Sequence, residues 1–124
     1  MKKYFYALGF IFIFSIQLSA QQIPNSGFEN WTNSKPDKWA TSNQSIPLLG
    51  TFNAVTKETA DPQQGTASVK LSVLSINIPF NGTYSLPGLL TLGKLKIDVA
   101  AQTATVTGGI PFTATPEKLT GYYK

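Results

Sequence analysis

After residue 20 the sequence nowhere sustains a 3.6-residue apolar period over the roughly eleven residues that a surface helix needs. Its apolar residues come instead in short runs of Val, Ile, Leu, Thr and Tyr, cut by Gly, Pro, Asn and Asp. This texture excludes a helical bundle and predicts an all-β chain of short strands joined by tight turns. The clearest strand pattern lies at 67–80, where Val69, Leu71 and Val73 alternate with Ser68, Lys70 and Ser72. The alternation then changes phase and continues on Leu74, Ile76, Ile78 and Phe80, so a bulge or bend is expected near Val73 and Leu74. Asn81-Gly82 suits a type I′ turn and predicts a hairpin at 80–83. Further strands are expected at 83–86, at 89–99 divided at Gly93, and at 103–107.

The first twenty residues have a different character. Lys2 and Lys3 precede an apolar stretch from Tyr4 to Leu18, and Ser19-Ala20 precede the polar Gln21-Gln22. This is the pattern of a cleaved signal peptide, with cleavage expected after Ala20. The apolar stretch is shorter than the roughly 20 residues that span a bilayer, and no second one follows. The mature chain is therefore expected to have no transmembrane segment and to be secreted or held at the cell surface. Residues 21–124 read as one domain.

Without Lys2 and Lys3 the formal net charge falls from +4 to +2. The remaining Lys residues are scattered and there is no Arg, so nucleic acid is not an expected partner. The chain contains neither His nor Cys. That excludes a Ser–His or Cys–His nucleophile, a His/Cys zinc site and disulfide stapling. Two carboxylates would suffice for glycoside hydrolysis. Glu29, Asp37, Glu58, Asp61, Asp98 and Glu117 stand in no catalytic context, so no enzymatic activity is expected.

Three stretches carry a family resemblance. Ile23-Pro24-Asn25-Ser26-Gly27-Phe28-Glu29-Asn30-Trp31, followed by Pro36-Asp37-Lys38-Trp39, resembles the opening of secreted bacterial proteins. Gly65-Thr66-Ala67-Ser68-Val69-Lys70-Leu71 resembles a strand of galactose-binding-like jelly rolls. Gly109-Ile110-Pro111-Phe112 with Leu119-Thr120-Gly121-Tyr122-Tyr123-Lys124 resembles the carbohydrate-metabolism (PCMD-type) domains of Gram-negative exported proteins, many of which carry a type IX sorting domain. The resemblance implies a jelly-roll-like β-sandwich, galactose-binding-like, that continues beyond Lys124. Leu119 to Lys124 accordingly reads as the opening of a further strand, and the sequence as a fragment.

The resemblance also implies carbohydrate as partner, either a polysaccharide or a surface glycan. Sugars stack their C–H faces on aromatic rings while polar side chains bond their hydroxyls. Trp31, Asn43, Tyr84 and Tyr122 are the candidate sugar-binding residues. Trp39 and Phe28 are expected to be buried anchors, as large aromatics in small β-domains usually are. No cofactor is expected beyond a structural calcium, for which the resemblance offers Glu29 alone, and a turn-capping carboxylate is the competing role. The Asn-x-Ser/Thr triplets at Asn30, Asn43 and Asn81 are read as turn chemistry. The expected function is a non-catalytic glycan-binding module. The alternatives are a structural or adhesive surface module and an N-terminal accessory domain of a larger secreted hydrolase.

Overall fold

A computed structural model describes residues 21–124. The signal-peptide expectation lies outside these residues. Among them there is no α-helix and no helix long and apolar enough to cross a membrane. Twelve short strands pair two by two into six antiparallel sheets. The all-β expectation holds.

Five of the six sheets are hairpins of consecutive strands. They are β1 (Trp31–Thr32) with β2 (Lys35–Pro36), β4 (Gln44–Ile46) with β5 (Gly50–Phe52), and β6 (Val55–Glu58) with β7 (Ser68–Leu71). The other two are β8 (Leu74–Ile78) with β9 (Gly82–Leu86), and β11 (Lys94–Asp98) with β12 (Thr103–Thr107). The sixth sheet is long-range, pairing β3 (Ala40–Thr41) with β10 (Leu90–Thr91) across the three hairpins between them. Two residues per strand make a weak ladder, and the buried Ser42 extends it. Its N–H donates to the Leu89 carbonyl (3.1 Å), its hydroxyl donates to the Pro87 carbonyl (2.7 Å), and the Leu89 N–H donates back to that hydroxyl (2.9 Å).

The core is small. Ala54, Ile76 and Leu86 are buried together, and Ile46, Leu49, Phe52, Leu74, Ile78 and Ile97 pack around them half-buried. Gly88 lies where backbone meets backbone: a Cβ there would sit 2.7 Å from the Ala54 carbonyl oxygen and 2.9 Å from the Ser72 nitrogen. Those two backbone atoms are themselves hydrogen-bonded at 2.8 Å, so the position has no room for a side chain.

The phase change at residues 73–74 is a break between sheets. β7 ends at Leu71 on the β6 hairpin, and β8 starts at Leu74 on another. The faces differ from expectation, because Leu71 and Val73 are exposed and only Val69 of that trio is half-buried. The division at Gly93 and the strand at 103–107 are both present. Leu119 to Lys124 form no strand. The whole of 108–124 is exposed, tied back by hydrogen bonds between Gln21 and Thr113 and by the Lys124–Asp61 ion pair.

The hairpin at 80–83 is displaced. Asn81 and Gly82 are not its two central residues: Ile78 pairs with Gly82, and the loop is Pro79-Phe80-Asn81 with Phe80 at φ 68°. Core packing decides between the registers. The observed one sets Ile76 opposite Tyr84 and Leu74 opposite Leu86, gathering the apolar side chains on one face. A turn centred on Asn81-Gly82 would set Ile76 opposite Pro87 and send Tyr84 and Leu86 to the other side. The β4–β5 hairpin repeats the same solution. Ile46 pairs with Gly50, and Leu48 at the tip has φ 68°. Ile46-Pro47-Leu48-Leu49-Gly50 and Ile78-Pro79-Phe80-Asn81-Gly82 thus fold alike, each holding a fully exposed apolar residue at its tip.

Candidate functional site

The stretch from Pro24 to Trp39 folds around Asn25, whose side chain replaces a missing strand partner. Its amide donates to the carbonyls of Asn30 (2.9 Å) and Asp37 (3.1 Å), and its oxygen accepts from the Asn30 N–H (3.1 Å). The Asp37 N–H closes the loop on the Asn30 carbonyl at 2.9 Å. Trp39 and Phe28 then meet at 5.3 Å between ring centroids, tilted by 48°, and the Trp39 indole N–H donates to the Pro24 carbonyl at 3.0 Å. Both rings are only half-buried, where buried anchors were expected.

Glu29 leaves this knot and reaches the turn before β7. One carboxylate oxygen accepts from the Thr66 hydroxyl (2.7 Å) and amide (3.0 Å), and the other receives the Ala67 N–H at 3.5 Å. The Thr66 hydroxyl, then its amide, hold the carboxyl below the usual carboxylate range, with the Lys57 charge adding a smaller push the same way. Gly65 makes the approach possible, since its backbone is at φ 71° and a Cβ there would collide with the Glu29 carboxylate.

Calcium requires six to eight oxygen ligands. Both Glu29 oxygens face N–H and O–H donors, and among the described residues no group of three or more His, Cys, Asp or Glu gathers. The surroundings of Glu29 fit a hydrogen-bonded latch between two segments and do not fit a calcium site.

The four candidate sugar-binding residues are not brought together. Trp31, on β1, lines a cleft of about 310 Å³ with Ser34, Asn53, Val55, Thr56 and Lys57. Its indole N–H is committed to the Phe28 carbonyl at 2.5 Å, which fixes the ring in place. Asn43 does not line this cleft but braces Val55, which does: its side-chain amide donates to the Val55 carbonyl (2.9 Å) and its oxygen accepts from the Val55 N–H (2.8 Å). It thereby acts as a one-residue strand against β6. Tyr84 lies elsewhere, on a groove of about 400 Å³ between the β8–β9 and β11–β12 hairpins, with Ile76, Leu86, Leu89, Ile97 and Gln102. Tyr122 is exposed in the strand-free 108–124 segment.

Sequence reasoning found only Trp31 of this cleft and missed Ser34, Asn53, Val55, Thr56 and Lys57. Ser34 and Asn33 have φ 61° and 49°, forming the two-residue connection of the β1–β2 hairpin. The polar pair between Trp31-Thr32 and Lys35-Pro36 was a readable turn cue. Asn53 and Lys57 carry no local cue, because β6 reaches the cleft through its long-range partners. In fold and site, then, this is an all-β protein with a cleft walled by one indole. Set against known proteins, the chain matches no family model, no curated protein and no solved structure.

Proposed function

We propose that the chain is an exported, non-catalytic module whose Trp31 cleft binds carbohydrate, built on a jelly-roll-like β-sandwich. The observation that carries this reading is the setting of Trp31. Its N–H is satisfied internally by Phe28, so the ring offers an apolar face held by a hydrogen bond, with Ser34, Asn53 and Thr56 around it to bond hydroxyls. A ring fixed before binding loses little entropy when a sugar stacks on it. The absence of His and Cys from the sequence supports a binding role over catalysis, and the resemblance of the 65–71 and 109–124 stretches supports the carbohydrate class. Export rests on the pattern of residues 1–20.

The purified protein should bind a polysaccharide in affinity electrophoresis. Trp31→Ala should abolish binding while leaving the free energy of unfolding within about 1 kcal/mol of the parent. A panel of plant, algal and bacterial polysaccharides with no retarded band would sink the reading.

The adhesive alternative is favoured by a separate feature, the fully exposed Leu48 and Phe80 at the two Ile-Pro hairpin tips. Apolar tips of this kind suit contact with another surface.

A further inference from the structure

We infer that the sugar accepted by the Trp31 cleft is acidic: a pyranose whose carboxylate or sulfate lies on the Lys57 ammonium while its C–H face stacks on Trp31. This rests on the carbohydrate reading above and narrows it to a ligand class.

The inference follows from the charges that line the cleft. Among the described residues, Lys57 is the one ionised side chain in its walls and no carboxylate lines it. Sites for neutral sugars gain most from carboxylates, which accept two hydroxyl hydrogens and form the stronger charge-assisted bonds. Here the hydroxyl-bonding groups are neutral (Ser34, Asn53, Thr56) and the strong group is a cation.

Lys57 is also uncommitted. It is exposed, and among the described residues the one ion pair is Lys124 with Asp61. Across the β6–β7 ladder it faces Val69, which brings no counter-charge. The carboxylate that feels its charge is Glu29, but Thr66 and Ala67 donors occupy both Glu29 oxygens. The next residue, Glu58, accepts from the N–H groups of Thr59 and Ala60. A cation beside a fixed indole, with its acidic neighbours already engaged, leaves the anion to be supplied by the ligand.

The test compares three polysaccharides on the purified protein by calorimetry at low and at roughly physiological salt. Polygalacturonate supplies carboxylates, a sulfated galactan supplies sulfates, and a neutral galactan supplies neither. At least one acidic polymer should bind about tenfold more tightly than the neutral one, the equivalent of one charge-assisted hydrogen bond. Which acidic polymer wins separates a carboxylate ligand from a sulfate ligand. Added salt should weaken that binding, Lys57→Gln should remove the preference, and Lys57→Arg should keep it. If the neutral galactan binds equally well and Lys57→Gln changes nothing while Trp31→Ala abolishes binding, the cleft is a sugar site and the acidic assignment is wrong. A preference that survives Lys57→Gln overturns it as well. If none of the three binds and Trp31→Ala is silent, the carbohydrate reading itself fails and takes the inference with it.

Discussion

The Thr66 hydroxyl and amide both donate to the Glu29 carboxylate, at 2.7 and 3.0 Å, across 37 residues of sequence. This contact joins two segments that are separately organised: the knot built around Asn25, and the turn that starts β7. Each is short of apolar burial, so a polar latch between them matters more than it would in a large core.

The latch should be pH-sensitive, with a definite sign. The Glu29 carboxyl is held below its ordinary value in the folded protein, so its contribution is full above the unfolded value of about 4.3. It is lost as the pH falls through the lower, folded value. Glu58, bonded to the amides of Ala60 and Thr59, acts in the same direction. Denaturation midpoints measured from neutral pH down to about 3 should therefore fall, and Glu29→Gln should start lower and fall less steeply. A Glu29→Gln profile parallel to the parent would show that the latch contributes nothing.

The partner position gives a second handle. Gly65→Ala should force the Glu29 side chain away and strain a backbone at φ 71°, the strain alone costing about 1–2 kcal/mol. If chemical denaturation finds Gly65→Ala equal to the parent, the turn at 65–67 has another conformation in solution.

How far the sequence disclosed this depended on the distance over which each feature is determined. The absence of helices among the described residues, the position of the change at Val73-Leu74 (though not that it parts two sheets) and the strand at 103–107 were legible, because alternation and turn residues act within a few positions. Leu71 and Val73 misled, since alternation cannot tell which face another segment covers. Asn81-Gly82 misled as well, because the register of Ile76 and Leu74 outweighs the turn preference of two residues. Two- and three-residue strands such as β3 and β4 are too short to show any period. The repeated Ile-Pro-x-x-Gly at 46–50 and 78–82 was a usable cue for both hairpins that pattern reasoning passed over. Trp31 could be singled out from its polar neighbourhood, but Lys57 could not, for it enters the cleft through pairing with a strand twelve residues further on.

Asn43 provides a test that separates structure from binding. Its side chain satisfies both backbone groups of the fully buried Val55. Asn43→Ala leaves that N–H and carbonyl unpaired and should cost about 1–3 kcal/mol in urea denaturation. Sugar affinity, measured where the variant remains folded, should change far less than it does for Trp31→Ala. A large loss of affinity without loss of stability would put the Asn43 amide on the ligand instead.

Ser42 is the corresponding point on the opposite joint. Its hydroxyl both donates to Pro87 and accepts from Leu89, at a site with no solvent access. Ser42→Ala should destabilise by about 1 kcal/mol, because two part-buried backbone groups lose a partner at once. Since β3 and β10 share only two residue pairs, hydrogen exchange should also show Leu89 and Leu90 opening faster than β8 and β9. Equal exchange in both regions would mean that packing rather than Ser42 holds the long-range closure.

The hairpin tips supply the last test, and it bears on the adhesive alternative. Phe80 combines φ 68° with full exposure, so it pays the strain of a left-handed backbone without any burial in return. Asn tolerates that conformation better, and Phe80→Asn should raise stability by up to about 1 kcal/mol. Leu48→Asn, at the same angle on the other tip, should behave alike. Tips that serve only the fold would lose nothing by the exchange. If the double variant is more stable yet no longer adheres to a surface that the parent coats, then Leu48 and Phe80 are kept for contact, and adhesion takes precedence over sugar binding as the module's role.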